Sequence, residues 1–300
     1  SNRPLAEAIC HQLGIELGDA TVSEFADGET SVKINENIRG ADIFVFQPTF
    51  APATNLMELL VMIDAVRRAS ARRVTAVIPY FGYQRQDRKD QPRVPITAKL
   101  VANLITTAGA DRVMTMDLHS AQIQGFFDIP FDHLYAAPVL VDHFVRLDLT
   151  DMVAIAPDIG SVKMARAYAK RLGVGLAVVD KRRPRPDSVE MMNIIGEVDG
   201  KNAVIFDDIL STGSTLVEAA RALRDAGARD IYAAVTHGVL CGDAIKRITD
   251  SAVKELVITD SIPHAAGTLP PKIRMLSVAP LLAEAIRRIH DEESLSSLFI

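Results

Sequence analysis

The chain has 300 residues, of which 48% are hydrophobic, and a formal net charge of −5. That is enough for one large or two medium hydrophobic cores, and the negative balance argues against a general nucleic-acid coat. Its two cysteines, Cys10 and Cys241, lie far apart and make neither a disulfide framework nor a zinc spacing, so a reducing cytoplasm is expected. No apolar run approaches the ~18 residues of a membrane span. The start, SNRPLAEAIC, lacks the cationic segment and apolar core of a signal peptide.

Along the chain, short apolar runs alternate with stretches of helical period. FADGE at 25–29 reads as a turn entering a strand. IFVF (43–46) and VTAVIPY (74–80) read as buried strands, with an amphipathic stretch, Asn55–Ala69, between them. The basic QRQDRK follows the second strand. A helix over Thr97–Ala108 leads to RVMTMDL (112–118), which ends beside His119. MVAIAPD (152–158) closes on Asp158 before a helix over Val162–Leu172. GLAVVD (175–180) runs into DKRRPRP, where Pro184 and Pro186 oppose helix formation. AVIFDD (203–208) precedes LSTGST and a helix over Thr215–Ala226, with Gly227 as its expected C-terminal cap. IYAAVTH (231–237) and ELVIT (255–259) complete the strands. Alternation on this scale predicts an α/β fold with largely parallel sheets flanked by helices.

The sequence also echoes itself. TAKLVANLITTAGADRVMTMDLH (97–119) lies over TLVEAARALRDAGARDIYAAVTH (215–237), so that Thr97 meets Thr215, Gly109 meets Gly227 and His119 meets His237. Two domains of similar topology are expected, with a boundary near HLYAAPVL (133–140).

The segment VIFDDILSTGST (204–215) carries the sharpest chemical signal. Strand, small-residue loop and helix start together form an anion trap, because loop amides and the helix macrodipole both favour negative charge. Ser211, Thr212, Ser214 and Thr215 add hydroxyls, and Gly213 permits positive φ. There is no Lys for a Walker A loop and no GxGxxG for a dinucleotide loop. Asp207 and Asp208 would repel a bare anion. They suit a sugar phosphate, whose diol needs acceptors while its phosphate needs donors. The cluster Lys181, Arg182, Arg183 and Arg185 suits polyphosphate, although composition alone equally describes a solvated charge run. Arg85 and Gln86 suit a nucleotide, with a plain surface loop as the alternative. Imidazole and carboxylate at His119 and Asp158 are compatible with a bound divalent cation, although a strand-end His is more often simply hydrogen-bonded.

The aspartate loop resembles that of the type I phosphoribosyltransferase superfamily. Within it the chain resembles the ribose-phosphate pyrophosphokinases nearly end to end, through FADGETSVKINENIRG (25–40), MELLVMIDAVRRASA (57–71), IPYFGYQRQDRK (78–89), DLHSAQIQGFFDIPFDHL (117–134), DKRRPRP (180–186) and LLAEAIRRIH (281–290). The resemblance implies two phosphoribosyltransferase-like domains, 1–135 on the ATP side and 136–294 on the ribose 5-phosphate side. It also implies that the tail 295–300 completes the first. It implies transfer of the β,γ-pyrophosphoryl group of ATP to the 1-hydroxyl of ribose 5-phosphate. Lys181 and Arg183 are the implied catalytic cations. Phe25, Asp27, Gly28, Glu29, Arg85 and Gln86 are the implied ATP contacts. Arg183, Asp207, Asp208 and Ser211 to Thr215 are implied to hold the sugar phosphate, and His119 and Asp158 to hold Mg²⁺. A cytoplasmic homohexamer with no nucleic-acid or membrane partner is implied too. The chain departs from the family pattern at Ser211, which replaces an Asp, and at Ser214 and Ser161, which each replace a Gly. A phosphoribosyltransferase and a non-catalytic regulatory relative are the alternative readings.

Overall fold

In a computed structural model, residues 1–182 and 191–299 are described, and they form two compact units. Arg183 and the rest of 183–190, and the side chains of Lys181, Arg182, Met191 and Phe299, fall outside the described part.

The first unit begins with α1 (Arg3–Leu13), which stops at Gly14 in the left-handed region, φ 68°. β1 (Ala20–Glu24) and β2 (Thr30–Ile34) form an antiparallel hairpin whose first strand is exposed throughout. The FADGE segment is its turn: the Phe25 amide donates to the Glu29 carbonyl at 2.8 Å, and Gly28 adopts φ 90°. β3 (Asp42–Phe46), α2 (Thr54–Arg68), β4 (Arg73–Ile78), α3 (Thr97–Ala108), β5 (Arg112–Met116) and β6 (Phe131–Leu134) follow. Their strands make a parallel sheet in the order β3-β4-β5-β6.

The second unit contains α4 (Ala137–Arg146), β7 (Met152–Ala156), α5 (Val162–Leu172), β8 (Gly175–Arg182), β9 (Met191–Ile195), β10 (Asn202–Leu210), α6 (Ser214–Asp225), β11 (Asp230–Gly238), α7 (Ala244–Thr249), β12 (Val253–Thr259) and β13 (Ile273–Leu276). Seven strands pair in the order β13-β12-β11-β10-β7-β8-β9, parallel except for β8 against β9.

The sequence echo is realised in both packing and topology. In α3 the buried residues are Ala98, Val101, Ala102 and Ile105; in α6 they are Leu216, Ala219, Ala220 and Leu223. Each member of the first set aligns with one of the second. Both sets follow the i, i+3, i+4, i+7 spacing that lays one helix stripe on a sheet. A fully buried Leu or Ile in such a stripe contributes about 1.5–3 kcal/mol by leaving water. α3 links parallel neighbours β4 and β5 as α6 links β10 and β11. Gly227 adopts φ 88°, and the Ala228 amide returns to the Leu223 carbonyl at 3.0 Å, closing α6 with a left-handed cap. The two echo histidines meet different fates: His237 is fully buried in β11, whereas His119 is exposed beyond β5.

One expectation is corrected. The segment returning to the first unit is not 295–300 alone but Val278–Ile300, together with Ser261–Pro263. It includes α8 (Ala279–His290), whose buried face of Leu282, Ala283, Ile286 and Ile289 needs a partner and finds it on α1. Polar bonds fix the other end: the Arg73 guanidinium donates to the Ile289 carbonyl at 2.9 Å, and His290 Nδ1 lies 2.9 Å from Asp42 Oδ2. Among the described residues, no helix is long and apolar enough to cross a membrane.

Candidate active site

β10 does not end at the aspartates. It runs through Asp207, which pairs with Val235, as far as Leu210, which pairs with Gly238. The non-helical, non-strand part of the loop is therefore only Ser211 to Gly213, and Ser214 and Thr215 already belong to the first turn of α6. Gly213 sits at φ 76° and serves as the helix N-cap. A side chain there would be strained by the backbone conformation itself. The start of α6 carries no side-chain cap. Its first amides thus have no acceptor of that kind, which is the arrangement that favours an anion.

A second strand end brings in another acid. β7 lies beside β10, with Ile155 opposite Ile205, so the C-terminal ends of these parallel strands adjoin. Ligands of open α/β sheets bind at such ends. Asp158 follows β7, and its Oδ1 accepts the Ser161 amide at 2.9 Å and the Ser161 hydroxyl at 3.0 Å. The same Ser161 Oγ lies 3.1 Å from Asp207 Oδ1. Ser161 thus shares one proton between two carboxylates. The Asp207 carboxyl is raised well above the usual range, first by burial, then by the charges of Asp208 and Asp158, and the Ser161 bond opposes this only in part. This is a site that favours a proton, a cation or a neutral hydroxyl next to Asp207.

The other side of the loop is tied to residues after β11. The Cys241 amide donates to the Ser211 carbonyl at 3.0 Å, and Cys241 Sγ lies 3.1 Å from Ser211 Oγ. Arg247, on α7, uses Nη1 to reach the Thr212 carbonyl and Ser214 Oγ, each at 3.1 Å. Neither Cys241 nor Arg247 was legible as a site neighbour in the sequence, since nothing in the spacing marks them.

In the first unit, His119 is exposed and its backbone amide donates to Gln84 Oε1 at 2.7 Å. Gln84 is wholly buried, and its Nε2 has no partner among the described residues. An unmatched buried donor costs about 1–3 kcal/mol, a penalty that an acceptor from a ligand would remove. Arg85 and Gln86 next to it are exposed, and Gln86 Oε1 accepts the Thr97 hydroxyl. Phe25, in the hairpin turn, is 59% exposed, and Asp27 Oδ1 accepts the Glu29 amide at 3.2 Å. Arg85 and Gln86 therefore sit on one loop of this unit, and Phe25, Asp27, Gly28 and Glu29 on another. Lys181 lies on β8, its backbone opposite Met192. Arg183 and the Lys181 side chain are outside the described residues.

Of the two residues that the resemblance offers for Mg²⁺, Asp158 is a hard oxygen donor in the second unit and His119 a nitrogen donor in the first. Asp207 and Asp208 add hard oxygen donors beside Asp158, and the Asp207 carboxyl is raised by burial and then by the charges of Asp208 and Asp158. Among the described residues, no group of three or more His, Cys, Asp or Glu could hold an ion unaided. Mg²⁺ ordinarily takes one or two carboxylates and completes its shell with water and phosphate oxygens.

Parallel sheets with helices on them, and an amide loop beside paired acids at the strand ends, define a phosphoribosyltransferase-type α/β protein. Comparison with known proteins narrows this. Residues 1–109 match the N-terminal domain of ribose phosphate pyrophosphokinase, and residues 181–300 match the phosphoribosyl synthetase-associated domain. The ribose-phosphate pyrophosphokinase of Rhizobium meliloti is 59% identical over 302 residues, covering 100% of this chain and 97% of that protein. That of Bacillus caldolyticus is 54% identical over 300 residues, covering 100% and 95%. The crystal structure of the phosphoribosylpyrophosphate synthetase of Mycobacterium smegmatis superposes with a TM-score of 0.92 at 40% identity, covering 97% of each chain. The chain belongs to the ribose-phosphate pyrophosphokinase family, and it is an enzyme.

Proposed function

We propose that the protein transfers the β,γ-pyrophosphoryl group of ATP to the 1-hydroxyl of ribose 5-phosphate. The products are 5-phosphoribosyl 1-pyrophosphate and AMP. The observation that carries this reading is the pairing of opposite chemistries along one strand-to-helix connection. Amides and hydroxyls from Ser211 to Thr215 suit the 5-phosphate, while Asp207 and Asp208 a few residues earlier suit the sugar hydroxyls. A ligand that is only an anion would not tolerate Asp207, and a neutral sugar would have no use for the loop.

In the reaction, the anomeric oxygen forms a bond to the β-phosphorus and releases its proton. The bond from the β-phosphorus to the bridging oxygen of the α-phosphate breaks, and AMP leaves with that electron pair. No covalent enzyme intermediate is needed, so positioning and electrostatics supply the rate. Asp207 and Asp208 hold the ring hydroxyls and thereby fix the anomeric carbon. The loop amides hold the 5-phosphate. Arg85 and Gln86 contact ATP, with Gln84 keeping the His119 backbone in place. Lys181 and Arg183 stabilise charge on the migrating group. His119 and Asp158 would be the residues to hold Mg²⁺, which would supply positive charge against the polyphosphate.

The proposal extends to a homohexamer in the cytoplasm, in which Phe25, Asp27, Gly28 and Glu29 meet the nucleotide of a neighbouring copy. The exposure of Phe25 and of all of β1 supports this, because an apolar ring on an exposed turn favours a partner. Sedimentation velocity reads the assembly directly: a monomer would rule out a shared nucleotide site. The reaction itself is tested by phosphorus NMR of protein, Mg²⁺, ATP and ribose 5-phosphate. AMP and a pyrophosphorylated sugar should grow together. ADP would indicate an ordinary kinase, and no turnover would favour a regulatory relative. In the same assay Lys181→Ala should keep its fold and sugar binding and lose about 10²-fold or more in rate.

A further inference from the structure

We propose that Arg247 is a positioning residue that sets the phosphate loop, turning the Gly213 amide and the Ser214 hydroxyl toward the 5-phosphate. The inference rests on the function proposed above and adds a residue to it. Arg247 stands on α7, 35 residues from Thr212 in sequence. Its helix is anchored by Ala244 and Ile248, both fully buried. Ile248 also packs near Gly213: a Cβ built there would lie 3.6 Å from Ile248 Cδ1. The arginine is thus fixed to the core at the point where the loop passes.

Two bonds from Nη1 carry the argument. One goes to the Thr212 carbonyl. In a planar trans peptide the carbonyl and the following N–H point in opposite directions. Holding the Thr212 oxygen toward α7 therefore directs the Gly213 N–H away from α7. The left-handed conformation at Gly213 continues this turn into the first residues of α6. The other bond goes to Ser214 Oγ. That oxygen accepts from Arg247, which makes its own proton a better donor, to an anion or to Thr212 Oγ1 3.4 Å away. A glycine, which the family resemblance leads one to expect at 214, could not make this bond, so the Ser214 departure and Arg247 form a matched pair. Among the described residues, no carboxylate lies within ion-pair distance of Arg247, whereas many exposed arginines here, such as Arg67, Arg68 and Arg287, have one. Its charge is therefore not committed to an acid and adds to the positive potential of the loop.

The test uses Arg247→Ala, Ser214→Ala and the double variant in the full-length enzyme. Titration calorimetry with ribose 5-phosphate gives affinity, and the AMP-forming assay gives kcat and both KM values. Loss of bonds from a charged donor, worth about 1.5–3 kcal/mol, should weaken ribose 5-phosphate binding roughly 10- to 100-fold. In Arg247→Ala, kcat and the KM for ATP should stay within about threefold, a split that general loss of structure would not produce. The two substitutions should be non-additive, because they remove one shared bond. The affinity ratio of wild type to Arg247→Ala should persist at about 0.5 M KCl. Long-range attraction would instead be screened there, and a ratio that collapses to one overturns the positioning role. Unchanged ribose 5-phosphate affinity in Arg247→Ala, or simple additivity, overturns it as well. If Arg247→Ala unfolds, Ser214→Ala probes the same bond from the other end, and wild-type affinity in it refutes the proposal. A wild-type protein that neither binds nor converts ribose 5-phosphate would instead refute the underlying function.

Discussion

Replacing Asp207 with Asn should make the ligand-free protein more stable and the enzyme much less active. The Ser161 hydroxyl lies 3.0 Å from Asp158 Oδ1 and 3.1 Å from Asp207 Oδ1, so the two carboxylate oxygens are no more than about 6 Å apart. At effective dielectric constants of 20–40, suited to a half-exposed pair, their repulsion is about 1–3 kcal/mol. Asn keeps an acceptor for Ser161 and for the Asp208 amide, which donates to Asp207 Oδ1 at 3.1 Å, but removes the charge. At about 2 °C per kcal/mol for a unit of this size, the melting temperature should rise by roughly 2–6 °C at pH 8 without Mg²⁺ or substrate. The pH dependence has a definite sign. Folding raises the Asp207 carboxyl above its unfolded value. Its contribution is therefore most favourable at low pH and is lost as the pH climbs through the folded value. The advantage of Asp207→Asn should consequently be largest at alkaline pH and shrink on acidification. Scanning calorimetry from pH 5 to 8.5 reads this, and ribose 5-phosphate titration of the same variant should show binding about 10-fold weaker or worse. A variant no more stable than wild type at pH 8 would refute net repulsion between Asp207 and Asp158, and full sugar affinity would refute the role given to Asp207.

Two further outcomes concern the loop. Gly213→Ala forces a side chain into φ 76°, which should cost about 1–2 kcal/mol and lower phosphate affinity as the loop relaxes; an unchanged melting curve and unchanged ribose 5-phosphate titration would contradict the geometry. Cys241 is exposed against Ser211, whereas Cys10 is half-buried with its thiol pushed up, chiefly by burial and then by Glu7. Iodoacetamide should therefore modify Cys241 first, and ribose 5-phosphate should slow that modification; peptide mass spectrometry that finds Cys10 labelled first, or no protection, would count against this.

Much of this protein is local and therefore visible in its sequence. Buried parallel strands need continuous apolar runs, and an amphipathic helix needs a periodic stripe, so the alternation and the echo of α3 in α6 could be read directly. A positive φ favours glycine, which marked Gly213 and Gly227. Two acids ahead of small hydroxyl residues marked the anion loop. Other features depend on which strands become neighbours. β7 adjoins β10 although β8 and β9 come between them in sequence, and only this brings Ser161 to Asp207, 46 residues apart. The extent of β10 past its aspartates was likewise decided by its partner β11, which supplies backbone pairing as far as Leu210. The return of α8 to the first unit follows from α1 offering an apolar face, a fact about shape that no spacing in α8 encodes. Arg247 shows the limit most clearly: in sequence it is one exposed arginine among many, and it acquires a task only because packing sets its helix beside a loop formed far earlier in the chain.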